Sequence, residues 1–148
     1  MLVTTHAIAS AGIASVIPYP AISIPLAFAG HFVLDKIPHW PDKSTREKLS
    51  KYIYTIVVVD LIVALIVTAW LVKATSNQAI AWAAFIGSIM DIDAVFYHKK
   101  FIDIFKTPLP KPLSRLHGGV QNETGSIWGV VTQLAIIFVA LYLILNYA

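Results

Sequence analysis

The sequence predicts an all-α integral membrane protein, a compact bundle of about five helices in which the first two form a short hairpin. Three observations predict it. Of 148 residues, 57% are hydrophobic and only 13% charged, whereas an average soluble domain carries about a quarter charged residues. The mean hydropathy is +0.73, and the apolar residues come in runs divided by proline-rich or basic connections. At about 20 apolar residues per span, the length leaves room for three to five spanning segments in one domain, residues 1–148.

Residues 1–20 lack the basic stretch of a cleaved signal peptide and carry His6 inside their apolar run, so they are read as mature structure. Residues 3–16 are apolar and small but too few to cross ~30 Å of hydrocarbon at 1.5 Å per residue. Pro18, Pro20 and Pro25 then break or reset the backbone. A first segment (about 3–16) and a second (about 21–37) therefore form a hairpin with a proline-rich tip. Small residues on the first let it pack closely against its neighbours.

Residues 38–45 read as a loop, with Ser44 or Thr45 as the cap of a third helix over about 46–73. Its apolar part is long enough to span, with Asp60 inside it. Asn77 opens a fourth helix that runs to about Tyr97. From His98 to Asn122 the chain is polar and basic; residues 107–112 are too proline-rich for a helix, and Gly118 and Gly119 read as the hinge of a lid over a site. The fifth helix, about 125–147, is a clean span with tyrosines near its end, as interfacial aromatics prefer.

The basic residues set an orientation. Lys36, Lys43, Arg46, Lys48 and Lys51 connect the second and third segments, and Lys99, Lys100, Lys106, Lys111 and Arg115 connect the fourth and fifth; only Lys73 lies elsewhere. Both basic connections are expected on the cytoplasmic side. The formal charge of +3 and pI near 9.2 thus reflect topology, and no nucleic-acid partner is expected.

With the topology fixed by charge alone, His6, His31, Asp35, His39, Asp91, Asp93, His98 and His117 all fall at or near the cytoplasmic face. His31 and Asp35, at i and i+4, share a helical face, and His39 stays near it if the turn at Pro38 holds it there. Asp91 and Asp93 diverge on a regular helix, so both bind one ion only if that helix unwinds. There is no cysteine, which leaves imidazole and carboxylate as ligands. The expected metal set is His6, His31, Asp35, His39, Asp91, Asp93 and His117, suited to zinc first and to manganese or iron next. Asp60, ~10 Å deep, is expected to partner a ligating histidine or to be a neutral acid.

These residues carry a resemblance. The string GHFVLDKIPH (30–39) resembles the G-H-x-x-x-D-x-x-x-P-x-H signature of zinc-dependent phospholipase C, with Pro38 and His39 adjacent here. The chain as a whole resembles the membrane-bound metal-dependent hydrolases, small bacterial and archaeal inner-membrane proteins. It shares an early T-H (Thr5, His6), an H-x-x-x-D (His31, Asp35), a G-x-x-x-D-x-D (Gly87, Asp91, Asp93) and a loop histidine (His117). It departs in carrying Met90 before the first aspartate, in the order of the motifs, and in His117-Gly118-Gly119 for H-R-G-x-T-H.

The function expected is hydrolysis of a phosphoester of an amphiphile such as a lipid, with the bilayer as partner, at the cytoplasmic face of an inner membrane. The metal lowers the pKa of water and polarises the phosphoryl group, Asp35 or Asp93 serves as base, and Arg115 grips the phosphate. The alternative is a non-enzymatic metal-binding or ion-translocating bundle in which Asp60 extends a polar path.

Overall fold

A computed structural model describes residues 1–49, 51–91 and 111–148. The expectations for Asp93, for His98, for Lys99, Lys100 and Lys106, and for the helix from residue 92 to Tyr97 lie outside these.

The described residues form helices α1 (Val3–Val16), α2 (Pro20–Leu34), α3 (Lys43–Lys48), α4 (Ile53–Thr75), α5 (Gln78–Ser88), α6 (Lys111–Val120) and α7 (Ile127–Tyr147), with a 3-10 turn over Ile89–Asp91. α1 and α2 make the expected hairpin. α1 is the central element, packed against α2, α4, α5 and α7. Its alanines, glycine and serines are nearly all buried, because small side chains let four neighbours approach one helix. Ile8, Ala11 and Ala14 of α1 join Leu71, Ile80, Ala83, Ala140 and Ile144 in the main apolar core.

The outer helices are apolar on the outside as well. α4 and α7 have windows of mean hydropathy 2.7 and 2.3 and are long enough to cross a bilayer. Both are mostly exposed, with Leu65, Ile66, Phe138 and Leu145 facing outward.

Several elements differ from expectation. α2 carries Pro25 within it and ends at Leu34, three residues early; the proline falls in the second turn and forgoes one intrahelical bond without ending the helix. The cap before the third segment is Asp42, whose carboxylate accepts the Thr45 N–H at 2.8 Å, so neither Ser44 nor Thr45 serves. The helix it opens stops at Lys48, and α4 starts afresh at Ile53. Residues 111–120 are helical, not a loop, because Pro112 falls in the first turn, where no intrahelical N–H is needed. Gly118 and Gly119 lie inside that helix and make no hinge.

Two connections are tied together by backbone. Asn122 donates to Asp35 O at 2.8 Å, His39 donates to Asn122 O at 3.0 Å, and Thr124 donates to His39 O at 2.7 Å. α7 fits against this seam at Gly129, where an added Cβ would fall 2.8 Å from Trp40 N. Arg46 of α3 holds Glu123 through both carboxylate oxygens, the Nη2–Oε2 distance being 2.8 Å. The chain segments before and after the long basic stretch thus meet at one end of the bundle.

Candidate metal centre

At that end four imidazoles and two carboxylates come together. His6 stands in the first turns of α1, His31 in the last turn of α2, Asp35 just beyond it, His39 in the tied connection, Asp91 on the 3-10 turn and His117 on α6. His6, His31, His39 and Asp35 are buried, and Asp91 is 5% exposed.

Asp35 is the hub. His31 Nε2 and His117 Nε2 each lie 3.1 Å from its Oδ2, and His6 Nε2 lies 3.1 Å from its Oδ1. His39 Nε2 is 4.0 Å from the same Oδ1, so the turn at Pro38 does keep it on that face. Burial alone would raise the Asp35 carboxyl, but hydrogen bonds from His117, His31 and His6 outweigh it and hold the group well below the ordinary carboxylate range. Burial pushes the His39 imidazole down and favours its neutral form.

Backbone carbonyls choose the tautomers. His31 Nδ1 donates to Gly87 O at 2.8 Å and His39 Nδ1 to Ile37 O at 2.9 Å, the arrangement that metal-ligating histidines use to aim the other nitrogen. His31 Nε2 lies 3.1 Å from Asp35 Oδ2 and 3.0 Å from His117 Nε2. The Gln121 amide donates to Asp35 Oδ2 at 2.6 Å and lies 2.8 Å from His117 Nε2. Three electron-rich atoms so placed repel one another unless protons or a metal cation sit against them.

The triangle they form has edges of 3.0, 3.1 and 3.1 Å. Atoms so spaced are close enough to share one ion.

A second group adjoins the first. His6, His31 and Asp91 also present ligand atoms close enough to hold an ion, with His6 Nε2 3.8 Å from Asp91 Oδ2 and His31 Nε2 4.0 Å from Asp91 Oδ1. The His6 and His31 rings stack at 3.9 Å. His6 Nδ1 and Asp91 Oδ2 are buried without a hydrogen-bond partner, and buried polar atoms in that state call for a ligand, an ion or water. Among the described residues, no Lys or Arg side chain pairs with Asp35 or Asp91. The buried Met1 ammonium lies 3.2 Å from Asp35 Oδ1, so with the imidazoles neutral, as metal ligation requires, the two carboxylates keep one uncompensated negative charge that favours a bound cation. The buried His and Asp groups can therefore hold a metal ion.

Beside the cluster opens a cavity of about 640 Å³, lined by the polar His39, Arg46, Asp91, His117 and Gln121 and by the apolar Val3, Ile53, Ile56 and Val57. Arg115, expected to grip phosphate, is exposed and does not line it. On a helix Arg115 points about 200° away from His117, and Arg46 takes the place beside the cavity. Asp60 also departs from expectation. It accepts the Val3 and Thr4 N–H groups at 2.6 and 3.3 Å, capping the start of α1 and thereby positioning His6, rather than partnering a histidine.

No family model, curated protein or solved structure matches this chain. The functional reading therefore rests on the site itself. Gln121, Arg46 and the Gly87 carbonyl were not assigned these contacts by the sequence patterns. Gln121 falls four residues after His117, a spacing that signals proximity on a helix, whereas nothing in the sequence marks the Gly87 carbonyl.

Proposed function

We propose that the chain is a membrane-embedded, metal-dependent hydrolase that cleaves a phosphoester of an amphiphile at the cytoplasmic face of an inner membrane. The observation that carries the reading is the triangle of His31 Nε2, Asp35 Oδ2 and His117 Nε2, with edges of 3.0 to 3.1 Å, next to the unpartnered Asp91 Oδ2. Mixed imidazole and carboxylate ligands favour zinc, with manganese or iron as substitutes. The resemblance to the membrane-bound metal-dependent hydrolases points to the same chemistry.

Membrane embedding is supported by the outward apolar faces of α4 and α7, an area of exposed apolar surface that water does not tolerate. The two basic connections favour a cytoplasmic placement of the cluster end.

A bound divalent ion supplies an activated water and polarises the phosphoryl oxygen. His31, Asp35 and His117 would hold it. Asp35 has both oxygens engaged, so Asp91, with Oδ2 free, is the better base and receives the proton from the attacking water. A new P–O bond forms to that water, the ester P–O bond breaks, and the leaving alcohol takes a proton from solvent. Arg46, released from Glu123, meets the phosphate charge as a two-toothed donor.

The translocation alternative receives less support, since the groove leading away from the cluster along α4 is almost wholly apolar apart from Thr68 and Ser88. The test is turnover of a phosphatidate or a lysophosphatidate by the zinc-loaded protein. Asp91→Asn is expected to abolish phosphate release, and unchanged release in that variant contradicts the assignment.

A further inference from the structure

A second cavity, of about 550 Å³, runs between α4 and α5 with α1 as its floor. It starts at Asp91, Ser88 and Leu61 and ends near Val72 and Ala81. At 1.5 Å per residue, the stretch of α4 from Leu61 to Val72 spans about 16 Å.

Its walls are built to admit a chain. Ala7, Ala64 and Ala84 leave room along the floor, and Leu61, Leu65 and Phe85 make the sides. Asp91 and Val3 also line the polar cavity beside the cluster, so the two spaces meet at the carboxylate whose Oδ2 lacks a partner. The Ser88 hydroxyl, buried and likewise unpartnered, stands at the same junction. A ligand filling both spaces has a polar group at the junction and cluster, and a flexible apolar tail of limited length.

We infer that the α4–α5 groove holds the alkyl chain of the substrate, whose phosphoester head lies at the His and Asp cluster. The inference rests on the hydrolase reading for the head group, while the groove stands on its own lining. It makes the substrate an amphiphile that enters from the bilayer side, with its chain lying along α4 and its ester bond delivered next to Asp91.

The test uses the full chain, zinc-loaded, in phosphatidylcholine nanodiscs, with a lysophosphatidate carrying a photoreactive diazirine near the end of its acyl chain. Peptide mapping after photolysis is expected to find labelling at residues 68–72 and at Ala81 that excess unlabelled lysophosphatidate suppresses. Labelling of the outer face of α7, at Phe138 and Leu145, should not be suppressed, because lipid there exchanges freely. Ala69→Trp and Ala81→Phe place bulk at the partly exposed walls of the groove, so neither depends on repacking the core. Each is expected to remove the suppressible labelling while the zinc content of the same samples is unchanged. Labelling that competitor does not suppress, that falls equally on α7, or that persists in both variants overturns the inference. Suppressible labelling of the groove in protein that binds no zinc leaves the groove standing and removes the hydrolase reading instead.

Discussion

Gly87 tests how the second layer of the site controls the first. Its carbonyl fixes the His31 ring at 2.8 Å, and its Cα faces Ser10 of α1. A Cβ added there would lie 1.9 Å from Ser10 Oγ and 2.7 Å from Ser10 Cβ. Rotating Ser10 relieves the first contact but not the second, so α1 and α5 must part by about 0.8 Å to reach an ordinary carbon–carbon distance of about 3.5 Å. The Gly87 carbonyl moves with α5, and its bond to His31 on α2, 2.8 Å long, is expected to be displaced from good geometry. Loss of an outer-shell partner typically weakens metal binding by about 10–100-fold, or about 1.4–2.7 kcal/mol. Gly87→Ala is therefore expected to weaken zinc by that factor in a competition titration against a chromogenic chelator, although no ligand has changed. Adding Ser10→Gly removes both clashing atoms and should restore most of the affinity. Equal affinity in wild type and Gly87→Ala, or no recovery in the double variant, refutes the reasoning.

Arg46→Ala should separate stability from binding. The Arg46–Glu123 pair is partly exposed, so its loss is expected to cost under about 1 kcal/mol in thermal unfolding, while KM for an anionic phosphoester rises several-fold with kcat little changed; a change confined to stability contradicts the role. Asp42 gives a pH signature. Hydrogen bonds from the Thr45 side chain and N–H hold its carboxyl below the usual range. Its capping contribution is then fully present above about pH 4, the unfolded value, and is lost as pH falls through the depressed folded value. The gap in thermal midpoint between wild type and Asp42→Ala should accordingly be constant from pH 5 to 7 and narrow towards pH 3; a gap that widens on acidification refutes it. Metal loading measured by the same chelator competition should itself decline on acidification, because protons compete for the imidazoles; loading unchanged down to about pH 4 contradicts imidazole ligation.

Much of this arrangement was legible in the sequence because it rests on local spacing and on charge. The i, i+4 relation puts His31 beside Asp35, and the small residues of α1 account for its central place. Counting Lys and Arg put the basic connections at one end without using any histidine, and the structure gathers the described histidines and aspartates there. What was not legible depends on tertiary contacts. Asp60 reads as a buried charge in search of a histidine, yet it accepts two N–H groups at the start of α1, a pairing 56 to 57 positions away in sequence. The break between Lys48 and Ile53 leaves no proline or glycine signal. Residues 111–120 read as a loop because Pro108, Pro110 and Pro112 crowd their start, but Pro112 in a first turn permits a helix. Arg115 lies two residues before His117, and on a helix that separation points side chains to opposite faces.

The central claim is that His31, Asp35 and His117 converge on one metal ion. X-ray absorption at the zinc edge, on protein purified in detergent and loaded to stoichiometry, tests it most directly. The account predicts a first shell of nitrogen and oxygen at about 2.0–2.1 Å with multiple scattering from at least two imidazoles, and loss of the bound ion in His31→Ala. Zinc retained in full by His31→Ala, or a shell without imidazole scattering, contradicts it.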